Sequence, residues 1–351
     1  MNAPPFTVVL LVPTGIGATI GGYAGDALPV ARVIAQVADC LITHPNVLNG
    51  AQLYWPLPQA LYVEGYGLDR FAAGDWGLQP VRQNRIGLLL DCGIEPELRQ
   101  RHLQAADAAR ATLGLDIAAA VLTEDPLKVE LRTTASGASW GTVGNPGSLL
   151  RAAATLIHQA GAEAIAVVAR FPDDLESPAL EAYRHGRGVD PLAGAEAVIS
   201  HLLVREFQIP CAHAPALAPL PLDPHLAPQA AAEELGYTFL PCVLVGLARA
   251  PRFVTDRRNS GAIWAESVDA LVVPASACGG SATLSLSPRR IIAVAENRTQ
   301  MQAPPAALGL QAVLASSYLE ALGILVAWRA GVSPAALGGS LTSLQCWDAK
   351  S

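Results

Sequence analysis

Three short apolar runs in this chain each lead into a glycine- and serine-rich loop. Val8 to Pro13 precedes Gly15-Ile16-Gly17-Ala18-Thr19-Ile20-Gly21-Gly22, Val129 to Leu131 precedes Ser136-Gly137-Ala138-Ser139-Trp140-Gly141, and Leu271 to Pro274 precedes Ser276-Ala277-Cys278-Gly279-Gly280-Ser281. A buried strand that ends in such a loop delivers flexible, N–H-rich backbone to one edge of a sheet. There glycine lets the chain approach a ligand, and successive N–H groups suit phosphate, carboxylate or a developing oxyanion. The strands alternate with helical segments along the chain, which predicts an α/β fold with a mainly parallel sheet and flanking helices.

The 351 residues suffice for one compact α/β unit or for lobes near 6–118, 119–262 and 263–340. With 51% hydrophobic and only 15% charged residues, a large core can form while little charge remains for an extended solvated surface, so a homo-oligomer is expected. A net charge of −7 and the lack of a basic run leave out the electrostatic footprint of a nucleic-acid binder; a small-molecule ligand is expected instead. Phe6 to Pro13 reads as a first strand and not as a signal segment, and no membrane-spanning run is found. The cysteines at 40, 92, 211, 242, 278 and 346 form no CxxC pair, which fits reduced thiols in the cytoplasm.

Organisation along the chain repeats in outline. A shift of 122 residues superposes Gly15 on Gly137, Gly22 on Gly144, Leu28 on Leu150 and Ala31 on Ala153, which suggests an internal duplication. Asp26 is expected to cap a helix over 27–38, Gly114 to close one over 95–113, and Asp190-Pro191 to open one that runs to Phe207. Ser317 and Glu320 are spaced as a capping box for the last long helix. The proline-rich stretch 215–228 cannot form regular structure and reads as a stiff surface arm.

Several residues could carry chemistry. The loop with Gly15, Gly17, Gly21 and Gly22 has the setting of a phosphate loop but matches neither the dinucleotide nor the P-loop fingerprint, so no cofactor is specified. Cys278, at a strand end beside Gly279 and Gly280, is a candidate nucleophile, with Ser281 and Ser139 as rivals and Gly137 in the turn before Ser139. His213 and His44 follow apolar runs and could sit at the sheet's C-terminal edge, with Asn46 beside His44. Glu64 and Asp69 supply acidic groups. Lysine occurs only at 128 and 350 against twenty-one arginines, so Lys128 is the one interior amine and a candidate base. A Cys211-x-His213 pair has no second clustered pair, and no metal site is expected.

The stretches IGGYAGDALPVAR from Ile20, ITHPNVLNGAQLYWP from Ile42, EGYGLDRF from Glu64, ASGASWGT from Ala135, GVDPLAGAEAVISHL from Gly188, PCAHAP from Pro210 and VVPASACGGSA from Val272 carry a resemblance that covers nearly the whole chain. By them the chain resembles a conserved family of oxygenic phototrophs to which no activity is attached. That resemblance implies a cytosolic or stromal compartment. More faintly, the three loops are similar in layout to the cyanuric acid hydrolase and barbiturase group, whose three like units each give a serine and a lysine to one site. One interior lysine cannot fill three such pairs.

Together these features predict a small-molecule enzyme, hydrolase-like, that binds an anionic or carbonyl-bearing ligand between the three loops. Cys278 or Ser281 would attack, His213 or Lys128 would act as base, and loop N–H groups would hold the oxyanion. A non-catalytic nucleotide- or metabolite-binding regulator built on Gly15 to Gly22, and an assembly protein, are the alternatives.

Overall fold

The computed structural model describes residues 4–346 except 50–52, 54, 174–176, 238–239, 260 and 340. Lys350 therefore lies outside the described residues. In chain order the strands are β1 (Thr7–Leu10), β2 (Cys40–Thr43), β3 (Ala60–Tyr62), β4 (Gly77–Gln79), β5 (Ile86–Leu90), β6 (Ile117–Leu122) and β7 (Val129–Thr133). They continue as β8 (Ser139–Val143), β9 (Ala164–Arg170), β10 (Cys211–Ala216), β11 (Arg252–Val254), β12 (Val268–Pro274), β13 (Arg290–Val294) and β14 (Ala312–Ala315).

Two parallel sheets organise the molecule. The first runs β14-β13-β12-β1-β2-β3 and the second β10-β9-β5-β6, so the fold is α/β as the alternation of strands and helices predicts. Val8, Val9 and Leu10 of β1 are wholly buried, because a central parallel strand is covered on both faces. Period-2 geometry sends them to different cores: Val8 and Leu10 join a large cluster with Ile86, Leu88 and Leu90 of the second sheet, while Val9 packs on the far face with Leu271, Val273 and Phe71. The apolar helix Leu240–Ala248 contributes Val243, Leu244 and Leu247 to the shared cluster and so sits between the sheets. A third cluster joins the outer face of the second sheet, through Leu89 and Val167, to the helices Pro146–Ala160 and Ala193–Phe207.

The first sheet takes its strands from 7–62 and 268–315, and the second from 86–216. The lobe boundary expected at 118/119 falls inside β6, and the one at 262/263 falls beside Ile263, which bridges to Leu78 of β4. The expected duplication is corrected: Gly15 follows a core strand, whereas Gly137 occupies the turn of the antiparallel β7–β8 hairpin, where no strand-loop-helix unit exists. The third glycine loop enters the short helix Ser281–Ser285 before β13.

Local signals place several elements. Gly114 ends the helix Pro96–Leu113 with φ +67°, a conformation only glycine adopts without strain. Ser317 Oγ accepts the Glu320 N–H at 3.2 Å and caps the helix Tyr318–Arg329. Asp26 behaves differently. The helix there spans only Leu28–Ile34, and the Asp26 carboxylate turns back to accept the Gly21 N–H at 2.6 Å. The proline-rich stretch forms β10 as far as Ala216 and then loops to the helix Pro228–Ala232.

Candidate functional site

A cavity of about 340 Å³ opens at the C-terminal edge of the first sheet, a volume within the range of small-ligand pockets. Chain order explains its position. From β1 the chain winds outward through β2 and β3, while β12 lies on the other side of β1 and leads outward through β13 and β14. Their following loops diverge and leave a crevice, the general ligand position in open α/β sheets. Thr14 after β1, His44 after β2, Glu64 after β3 and Ser281 after β12 all line it. The opposite wall comes from the helix Ala193–Phe207 and from His213 and Pro215 of β10.

Glu64 is the best-anchored acid. It is the N-cap of the helix Gly65–Ala72, where Oε2 accepts the N–H groups of Tyr66 at 2.8 Å and Gly67 at 3.2 Å. A carboxylate on two helix N-terminal N–H groups is both hydrogen-bonded and favoured by the helix dipole. Its other oxygen, Oε1, lies 2.9 Å from His201 Nδ1, which also points at the Ala197 carbonyl. Burial is the largest single influence and opposes charge on His201, but Glu64, the Ala197 carbonyl and Asp69 together raise the imidazole pKa. Among the described residues Nε2 of His201 has no partner.

Glu196, Ala197, Ser200 and His201 line the cavity from one face of their helix, as i, i+1, i+4 and i+5 positions must. Ser200 Oγ is 2.5 Å from His213 Nδ1, and Glu196 lies 3.5 Å from His213 Nε2. A second acidic group completes the wall. Asp190 accepts the Leu192 N–H at 2.8 Å, and burial, reinforced by Glu196, pushes its pKa up to about 7. Glu233 is raised well above the usual carboxyl range by burial and by Asp190, although the Tyr183 hydroxyl donates to it at 2.7 Å. Two carboxyls that oppose each other's ionisation retain a proton near neutral pH. Asp69, also raised by burial, accepts the Ala282 N–H beside Ser281.

Of the residues expected from sequence, the cavity brings together His44, Asn46, Glu64, Asp69, His213, Gly280 and Ser281. The others lie elsewhere. Cys278 is wholly buried, its thiol faces the carbonyls of Pro274 and Ala275, and burial raises its pKa to about 11, so it is a core side chain and not a thiolate nucleophile. Gly279 is exposed behind it, against Ala303. Lys128 is exposed at φ +50° and does not line the cavity, which removes it as the base. Ser139 Oγ accepts the Gly194 N–H at 3.2 Å and its own N–H donates to Gly15, so it pins the hairpin to the first loop.

The first glycine loop is a packing device. Any Cβ at Gly22 would strike the Ala18 carbonyl, and one at Gly17 would sit 2.9 Å from the Gly188 carbonyl. The N–H groups of Thr19, Ile20 and Gly21 already donate to Arg298, Asn297 and Asp26. All three N–H groups thus have protein acceptors, which leaves none of them for a phosphate. Gly137 stands apart in its exposed turn near Gln300.

Sequence reasoning passed over Asp190, Glu196, Ser200, His201 and Glu233. The available signal was the polar stripe Glu196, Ser200, His201 on an otherwise apolar helix, which breaks the pattern a buried helix should keep.

Comparison with known proteins adds kinship. No solved structure matches the chain, and the likeness to the cyanuric acid hydrolase group finds no support: the hairpin replaces one loop unit and the interior lysine faces solvent. An "Uncharacterized lipoprotein" of Synechococcus sp. is 63% identical over 334 residues, which span 94% of this chain and 93% of the relative. Residues 7–338 match the family described as "Protein of unknown function (DUF3326)", and the chain belongs to that family.

Proposed function

We propose that this protein is a small-molecule enzyme of hydrolase type, in which Ser281 attacks a carbonyl-bearing ligand with His201 as general base. The carrying observation is the Glu64–His201 pair. Its Nδ1 side is fixed by a buried, helix-capping carboxylate, and its Nε2 is left without a protein partner in the cavity that Ser281 also lines. The protonated member of the Asp190–Glu233 pair supplies an acid for the leaving group. Of the two expected ligand classes the lining favours the carbonyl-bearing one, since Glu64, Asp69, Asp190, Glu196 and Glu233 face the cavity and, among the described residues, neither arginine nor lysine does. Free cysteines fit the cytoplasm or stroma as its compartment, and the exposed edge strand β14 fits a homo-oligomer.

The test is a fluorophosphonate probe together with a panel of small esters, amides and cyclic imides followed by mass spectrometry. Labelling at Ser281 and turnover of at least one class are expected, with turnover falling about 10²-fold or more in His201→Gln. Absence of both labelling and turnover in the wild type, or turnover unchanged in Ser281→Ala, would sink the reading.

A further inference from the structure

His44 lines the same cavity, is only 9% exposed, and sits at the N-cap of the short helix Pro45–Leu48 without capping it through its side chain. Its Nε2 receives the Val12 backbone N–H at 3.1 Å. A peptide N–H can only donate, so Nε2 must carry the lone pair, and the ring proton of the neutral imidazole is on Nδ1. Among the described residues Nδ1 has no partner. Nδ1 is not among the fully buried atoms left without a partner, so on a residue that lines the cavity its proton keeps access to that space and is open to an acceptor that enters there.

We infer that His44 is a fixed hydrogen-bond donor to the ligand's carbonyl oxygen, holding it through Nδ1–H as negative charge develops there. The inference deepens the function proposed above and rests on its carbonyl-bearing ligand. His44 keeps its proton throughout; it contributes a donor whose direction is set before the ligand arrives. Burial supports this role by holding the His44 pKa down to about 4, so the ring stays neutral across the physiological range. The surrounding groups make the donor distinctive. The cavity otherwise presents mostly acceptors, the carboxyls of Glu64, Asp69, Glu196 and the Asp190–Glu233 pair, and an uncharged N–H among them selects an oxygen acceptor over a cation.

Nitrogen-15 NMR of histidine-labelled full-length protein tests the tautomer, with the His44 signals assigned by their loss in His44→Asn. The expected result is a neutral ring protonated at Nδ1 from pH 7 to pH 5. A ring protonated at Nε2, or charged at pH 7, overturns the inference whatever the protein turns over. A second arm titrates 2-pyrrolidinone, a neutral lactam, against pyrrolidine, the matching amine. The His44 Nδ1–H proton resonance should move downfield with the lactam and not with the amine. No lactam-dependent shift, or an equal shift with both, overturns the inference. Because neither arm requires turnover, loss of the hydrolase reading and loss of the donor are seen separately.

Discussion

At the scale of single residues, burial decides chemistry more than residue type does. Cys278 looked reactive because glycines flank it, yet the same tight turn buries its thiol and raises its pKa, whereas Cys346 is exposed. Alkylation at neutral pH read by mass spectrometry should therefore label Cys346 well before Cys278. Asp190 gives a prediction with a definite sign. Its pKa rises from an ordinary carboxyl value to about 7 in the folded protein, so between about pH 4 and pH 7 the native state holds a proton that the unfolded chain has released. Stability from this group is greatest below the unfolded pKa and is lost as pH rises through the folded one. Asp190→Asn, which can still accept the Leu192 N–H, should thus raise urea-unfolding stability at pH 8 by about 1–3 kcal/mol and change it little at pH 4. A larger gain at pH 4 would contradict the assignment.

At the scale of elements, what was legible followed from local rules. Apolar runs such as Cys40–Thr43 and Ile86–Leu90 are strands because continuous β-branched and leucine sequence suits a sheet covered on both sides. Gly114 and Ser317 mark helix ends because those positions solve a backbone problem that can be read from neighbouring residues. The β7–β8 hairpin escaped because only β7 shows itself, as the run from Val129 to Leu131, while β8 is Ser-Trp-Gly-Thr-Val, whose small and polar residues read as loop. Half of the site was legible, since His44, Glu64 and Ser281 each follow a readable strand or loop. His201, Asp190 and Glu233 come from segments whose arrival at the sheet edge depends on tertiary packing. That packing is close where Gly194 meets the hairpin: a Cβ on Gly194 would collide with the Ser139 carbonyl and the Trp140 backbone. Gly194→Ala should lower stability by about 1–3 kcal/mol in chemical denaturation, because backbone and not a mobile side chain blocks the space. A midpoint equal to wild type would mean that helix and hairpin can separate freely.

At the scale of the whole molecule, β14 is the free edge of the larger sheet, with Leu314 66% exposed and Leu319 79% exposed beside it. An apolar edge strand invites pairing with another edge. Sedimentation should show an oligomer that dissociates in a Leu314→Glu, Leu319→Glu double variant; a wild-type monomer at micromolar concentration would refute this. The two-ended origin of the first sheet also sets an order of events in time. The Thr7 N–H donates to the Asp269 carboxylate across 262 residues, and β1 pairs with β12 as its neighbour. So wide a loop closes slowly and only after the second sheet's residues have been made. His44, His201 and Ser281 are therefore strangers to one another on the ribosome, and the cavity they line is a late product of synthesis.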